Sequence, residues 1–251
     1  MKDYILTITS NKQIARNVFK TEFSCQEQLP KFIGGQFLHL QVPGKILRRP
    51  LGILEMTAHY CSIVYAVVGE GTLILSQMKE GDSLKAIMPL GNGFILPKTY
   101  KKVALLGGGL GVVPLLPVIT SYPEIEFYSY MGFKSRDDVI LYDEFAKLSK
   151  KTCFTTEDGS FGACGFSIDA LKEDLEKNNF DAVLVCGSLL MLKAVKKANF
   201  KVPVYVSMEE RMGCGVGACL VCACQVKKGD SIENLRVCLD GPVFMLDEVA
   251  L

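Results

Sequence analysis

Two rhythms of apolar and polar positions divide this chain. Over residues 4–97 short runs alternate between apolar and polar side chains and are punctuated by turn residues, the period of half-buried strands. Gln36–Val42 alternates most cleanly, with Phe37, His39 and Gln41 on one face and Leu38, Leu40 and Val42 on the other. Strands are also predicted at Tyr4–Ile8, Val18–Phe23, Ser62–Val68 and Asp82–Met88, and a short helix at Thr72–Met78. Strands this short and frequent imply an antiparallel barrel. From Lys101 strands and helices alternate instead. Strands are predicted at Lys102–Leu106, Ile125–Tyr130, Cys153–Thr156, Ala182–Gly187 and Val204–Met208. Helices are predicted from about Val113 and at Leu141–Ser149, Ser167–Lys177 and Ser188–Ala198. That order implies a parallel sheet covered on both faces. The expected fold class is therefore β + α/β: an antiparallel barrel over 1–97, an α/β domain over 98–208 and a small cysteine-rich module over 209–251.

The 251 residues are enough for two domains and an appendage. With 28 basic against 27 acidic side chains there is no basic field to mark a nucleic-acid partner. Val103–Ile119 carries no charge, but three consecutive glycines, a fourth and two prolines interrupt it, and it falls short of the about 20 residues a bilayer needs. A membrane span is not expected there. The N-terminal stretch lacks the apolar core of a signal peptide, so the expectation is a cytoplasmic protein, in which ten cysteines point to metal or redox chemistry rather than disulfides.

The cysteines supply the sharpest signal. Four residues separate Cys214 from Cys219, two separate Cys219 from Cys222, and fifteen lie before Cys238. Three close thiolates on a glycine-rich loop with a distant fourth is the plant-type [2Fe–2S] arrangement. Gly213, Gly215 and Gly217 would let the backbone curl so that its N–H groups face sulfur. Structural zinc competes, although it usually draws on two C-x2-C pairs and one is evident here, and so does a set of buried core thiols. Cys224 is expected to point elsewhere, and Cys25, Cys61, Cys153, Cys164 and Cys186 read mostly as core.

Two glycine-bearing segments are candidate anion sites. Pro50 holds Arg49 extended, so that its guanidinium suits phosphate, and Gly69–Thr72 opens a helix whose free N–H groups suit a pyrophosphate. Gly107, Gly108, Gly109 and Gly111 form a tight turn between a strand and a helix, where backbone can approach a nucleotide closely, though the spacing is not the full G-x-G-x-x-G. Cys186 and Gly187 end a central strand, where ligands bind in such sheets. The two histidines, His39 and His59, lie on an ordinary strand or turn with no partner for a nucleophile–base pair, which argues against His-based hydrolysis.

Taken in order, Arg49-Pro50-Leu51-Gly52, Gly71-Thr72, the Gly107–Gly111 turn, Cys186-Gly187 and the four cysteines resemble the ferredoxin–NADP reductase superfamily. More narrowly, essentially the whole chain is similar to the electron-transfer subunits of NAD-dependent (class 1B) dihydroorotate dehydrogenases. The resemblance implies FAD on the barrel, held by Arg49, Pro50, Leu51 and Gly52, by Val64, Tyr65 and Ala66, and by Gly71 and Thr72. It implies NAD(H) as the exchanging substrate near Gly109 and Cys186, and a [2Fe–2S] cluster on Cys214, Cys219, Cys222 and Cys238. Three positions depart from the family pattern. Gly52 stands where Ser or Thr is usual, Ala66 where Arg is common, and Ser188-Leu189 where Gly-Pro usually follows the Cys-Gly pair.

The function so implied converts two-electron to one-electron chemistry, with the cofactors supplying the reactivity. The chain has no acid–base pair of its own for a substrate, so no catalytic residue is expected in it. An FMN-containing catalytic subunit that oxidises dihydroorotate is the implied partner, in an assembly of two subunits of each kind. Subunits of a ferredoxin–NADP oxidoreductase or a sulfide dehydrogenase share the same modules and are the alternative, while a zinc-stapled binding module is the alternative outside redox chemistry. Lys134 and Arg136 would suit a 2′-phosphate or be ordinary surface charges, leaving NAD against NADP open.

Overall fold

The computed structural model describes residues 2–229 and 231–251; Met1, at the start of the expected barrel, and Asp230, in the expected cysteine module, lie outside them. Six strands close the barrel: β1 (Tyr4–Ala15), β2 (Val18–Ser24), β3 (Phe37–Gln41), β4 (Arg49–Met56), β5 (Tyr60–Ala66) and, after helix α1 (Glu70–Gln77), β6 (Ser83–Leu90). They run β1-β2-β5-β4-β3-β6, and β6 returns to pair with β1. Closure removes the open edges and fills the interior with Leu6, Ile8, Phe23, Leu38, Leu40, Ile53 and Ile63, all at most 1% exposed. Each such side chain contributes ~1.5–3 kcal/mol by leaving water. Asn11 on β1 fixes the C-terminal end of α1, its Nδ2 donating to the carbonyls of Leu75 and Met78, both at 2.9 Å.

The second part is a seven-stranded sheet in the order β10-β9-β8-β7-β11-β12-β15. Strand β7 (Lys102–Gly108) leads through a 3-10 turn (Gly109–Leu115) into α2 (Leu116–Ser121), then β8 (Glu126–Phe133), α3 (Tyr142–Leu148), β9 (Lys151–Thr156) and β10 (Ala163–Cys164). Helix α4 (Ser167–Lys177), β11 (Ala182–Cys186), α5 (Leu189–Ala198) and β12 (Val204–Ser207) follow. All pairings among β7–β12 are parallel, and β11 is buried along its whole length. The C-terminal part holds a ribbon of β13 (Ala223–Lys228) and β14 (Ser231–Arg236), and then β15 (Val243–Met245).

The parts are packed as one. Val18, Leu54 and Val64 of the barrel share a core with Val112, Val113 and Leu115 of the sheet domain. A Cβ on Gly34 would lie 2.4 Å from the Val118 nitrogen, so the barrel loop seats directly on α2. Asn92, at the barrel's end, donates to the Val243 carbonyl at 3.0 Å and accepts from its nitrogen at 3.1 Å.

Several elements differ from the sequence expectation. The segment expected to be helical from Val113 is a 3-10 turn followed by a short helix, because Pro114 and Pro117 supply no N–H to continue a longer one. Arg49 was expected at a strand edge, but the eight-residue strand β4 was not. Pro50 sits at its start, opposite His39 of β3 and before pairing with β5 begins at Ile53, so its missing N–H takes nothing from the β5 ladder. The polar stretch after the cysteines forms the β13–β14 ribbon rather than a plain connection. Finally, Val243–Met245, read as part of the cysteine module, adds an antiparallel edge to the sheet, pairing Phe244 with Val206. Among the described residues no helix is long and apolar enough to cross a membrane.

Candidate functional site

Two adjoining clefts lie between barrel and sheet. The first, about 380 Å³, is walled by Pro50, Leu51 and Gly52 of β4, Val64, Tyr65 and Ala66 of β5, Thr72 of α1, and Cys186, Ser207, Glu209 and Met212 from the C-terminal ends of the sheet strands and beyond. Nothing lies within 4 Å of where a Cβ on Gly52 would project, so this position leaves the cleft open rather than supplying a hydroxyl. Tyr65 borders the cleft, but its ring lies inside the barrel, stacked on Phe19 at 6.1 Å between centroids.

Arg49 and α1 form a cradle beside this cleft. The Arg49 Nη1 donates to the Leu47 carbonyl at 2.5 Å, and the guanidinium lies over Gly71. Thr72 Oγ1 accepts from the nitrogens of Val68 and Gly69, at 3.0 and 3.2 Å, shaping the helix start. The first backbone N–H groups of α1 have no intrahelical acceptor, and Arg49 sets a cation against the same turn, a fit for a pyrophosphate. Arg48 is committed elsewhere: it pairs with both oxygens of Asp3, at 2.6 and 3.0 Å.

The second cleft, about 680 Å³, runs over the sheet's C-terminal edge past Gly108, Gly109, Gly132, Lys134, Glu157, Phe166, Ser188 and Met191, with Arg16 contributed by the barrel. Gly109 needs its left-handed φ of +55° and faces open space, which admits a ligand against the backbone. Gly107 and Gly111 instead serve packing. A Cβ on Gly111 would stand 2.2 Å from the Cys186 carbonyl oxygen, and one on Gly107 2.7 Å from Met131 Sδ. Gly187 lies under Met191. Lys134 borders this cleft, whereas Arg136 is not among its lining residues. Cys186 is 1% exposed; burial, and then the Glu209 charge, raise its thiol far above the usual range, so it is a neutral wall of the first cleft. Partial desolvation at the cleft wall pushes the Glu209 carboxyl up, although the residue as a whole is exposed.

The four cysteines fall into two pairs. Cys214 and Cys219 place their sulfurs 3.4 Å apart. Cys222 and Cys238 are 1% and 2% exposed and lie against each other, and burial first and Cys222 second push the Cys238 thiol up to about 12. Burial also raises Cys214, but N–H groups of Val216, Cys219 and Ala218 aimed at its sulfur outweigh it and hold the thiol at about 6. Two of these donors are 3.4 Å away. Gly215 and Gly217, at φ +71° and +80°, bend the loop to aim them. Two pairs of thiols suit a two-iron cluster, in which each iron takes two protein ligands.

The roles of several residues here were not read from sequence. Arg236 donates to the Gly217 carbonyl at 2.9 Å and pairs with Asp240 at 3.0 Å, clamping the cysteine loop. His39 is fully buried against Gly215, and burial first, then the Arg48 charge, keep its imidazole below the ordinary pKa. Glu209 carried a visible signal, standing just after a sheet strand and just before the cysteine loop. The others are brought in by contacts across the chain.

Among solved structures, the NADH-dependent reduced ferredoxin–NADP oxidoreductase superposes with a TM-score of 0.87 at 30% identity, over 98% of this chain and 89% of that one. The fold and the paired thiols define the class: an electron-transferring oxidoreductase of modular build. Residues 209–250 match the iron–sulfur cluster binding domain of dihydroorotate dehydrogenase B. The electron transfer subunit of dihydroorotate dehydrogenase B (NAD(+)) from Bacillus velezensis is 40% identical over 260 residues, covering all of both chains, and that from Streptococcus mutans is 39% identical, covering 98% of this chain and 97% of its own. This chain belongs to that family of electron transfer subunits, and so works with a catalytic partner subunit.

Proposed function

We propose that this chain carries electrons between NAD(H) and the FMN of a dihydroorotate-oxidising partner in pyrimidine biosynthesis, in an assembly of two subunits of each kind. FAD occupies the first cleft and the Arg49 cradle, NAD(H) the second cleft, and a [2Fe–2S] cluster the four cysteines. When bound, FAD supplies hydride and single-electron exchange and the cluster single-electron transfer.

The observation that carries this reading is continuity. Ala66 and Leu110 wall both clefts, and the first cleft also reaches Met212, two residues before Cys214. A ligand in the larger cleft can thus meet one in the smaller, which in turn abuts the cysteine loop. Arg49 and the α1 N-terminus orient phosphates, Gly109 admits a ring against backbone, and Val64, Leu110 and Val113 exclude water from the junction. Ala66 in place of an arginine, and Gly52 in place of a hydroxyl, leave hydrogen bonding near the flavin ring to backbone N–H groups. No side chain here is assigned to proton abstraction from dihydroorotate, so that base belongs to the partner. Leu220, Val221 and Leu239, exposed by 70%, 59% and 45% around the cysteines, suit contact with that partner.

The test is to recover the complex anaerobically through a tag on this chain, supply dihydroorotate and NAD, and follow NADH by absorbance. NADH formation with an FMN-bearing partner in the eluate supports the assignment. NADH oxidation with an artificial acceptor but no dihydroorotate turnover keeps the cofactors and moves the chain to a sister oxidoreductase.

A further inference from the structure

His39 is the one buried imidazole that the reading above does not use. It is 0% exposed, and among the described residues neither ring nitrogen has a hydrogen-bond partner. Leaving such a group unsatisfied costs about 1–3 kcal/mol, so an aliphatic side chain would be the more stable choice in this position unless the imidazole has a partner in the working protein.

Its surroundings identify that partner. Nδ1 lies 2.3 Å, Cε1 2.8 Å and Cγ 2.9 Å from where a Cβ on Gly215 would stand, so the Nδ1 end of the ring lies against the Cys214–Gly215 segment. Gly215 is thus required twice, for its φ of +71° and for the ring's approach. The backbones of Cys214 and Arg48 border the ring nitrogens without meeting hydrogen-bond geometry. On the barrel side, His39 stands in β3 directly opposite Pro50, and Phe37 lies two residues earlier on the same face. Both of those residues line the first cleft.

We propose that His39 is a positioning residue for the cluster: its ring N–H donates to the Cys214 end of the loaded loop, at the thiolate or the adjoining carbonyl, and ties the strand that walls the flavin cleft to the cysteine loop. The proposal rests on the iron–sulfur reading of the four cysteines. Hydrogen bonds to cluster sulfurs, and those that orient the ligating segment, set the reduction potential, because they stabilise the extra negative charge of the reduced state.

The test compares the parental complex with His39→Leu, His39→Gln and His39→Asn, all purified anaerobically. Iron and flavin content are measured, with the electron paramagnetic resonance spectrum of the reduced cluster and its midpoint potential in a redox titration. The expected result is that His39→Leu lowers the cluster potential and shifts its g-values, leaves the FAD potential in place, and is at least partly reversed by Gln or Asn. Leu with parental iron content, g-values and potential would overturn the proposal. So would equal loss of the cluster from all three variants, since packing shape alone would then explain His39. A parental complex with flavin but no reducible [2Fe–2S] signal would overturn the cluster reading itself.

Discussion

The Arg49 guanidinium occupies the space a side chain on Gly71 would need: its Nε lies 2.5 Å, and its Nη2 2.9 Å, from the position of a Cβ there. The close approach sets the cation directly against the first turn of α1, so that one glycine allows two anion-binding elements to act together. Gly71→Ala should push the guanidinium aside, and Arg49→Lys should keep the charge but lose the planar fork. Each should weaken FAD retention by about tenfold to a hundredfold, the equivalent of ~1.5–3 kcal/mol. Flavin absorbance after gel filtration and FAD titration of the stripped chain would measure this; undiminished flavin in both variants would remove the phosphate site from this cradle.

Gly111 and Gly109 stand in one turn but should respond differently. Gly111→Ala must displace the end of β11, because its Cβ meets the Cys186 carbonyl at 2.2 Å, and overpacking of this kind costs about 1–3 kcal/mol. A lower melting temperature is the expected readout. Gly109→Ala has room but must hold a φ of +55°, at roughly 1–2 kcal/mol, and puts a methyl into the second cleft. Its expected signature is a raised KM for NADH, assayed with an artificial acceptor.

Under α4, Tyr130 and Lys151 both donate to the carboxylate of Asp174, which is 8% exposed. Burial raises its pKa, but the Lys151 and Tyr130 hydrogen bonds outweigh burial and hold it below the ordinary carboxylate value. The native state therefore prefers the ionised form, a contribution fully present above the unfolded pKa of about 4 and lost as pH falls through the lower native value. Asp174→Asn should cost about 2 kcal/mol near neutrality. Urea denaturation of parent and variant at neutral pH and in acid checks this, and a gap that fails to narrow in acid would contradict it.

The cysteine loop separates ligands from bystanders. Cys238→Ser should lose most bound iron, whereas Cys224→Ser should keep it, because Cys224 sits in β13 against the hydrophobic core beside the sheet. Arg236→Gln, which frees the Gly217 carbonyl, should release iron faster under a chelator while still assembling the cluster. Iron assay and visible spectra would rank the three.

Charge placed on the exposed apolar surface beside the cysteines should act on the partner alone. Leu220→Glu with Val221→Glu should abolish recovery of the catalytic subunit while leaving NADH oxidation by an artificial acceptor intact. Sedimentation or pull-down of the complex, run beside that assay, distinguishes lost docking from lost cofactors.

Much of the site was legible residue by residue. The cysteine spacing pointed to iron and sulfur, the alternation in β3 and the burial of β7 and β11 marked barrel and sheet, and α4 was read with the bounds it has, Ser167–Lys177. The Gly107–Gly111 turn was legible as a turn, but its glycines were not separable into one that opens a cleft and two that admit neighbouring backbone and side chains.

What the chain alone determined was local: the period of apolar positions, the turns that glycine and proline impose, and a cysteine spacing that fits one loop. Tertiary structure decided everything that depends on pairing distant segments. It made β4 a strand despite Pro50 and Gly52, returned β15 to the edge of β12, set Arg236 on the Gly217 carbonyl and laid His39 on Gly215. The physical reason is that side-chain periodicity records only how far a residue is buried, whereas its neighbour is chosen by closure of the barrel, the register of the sheet and the packing between them.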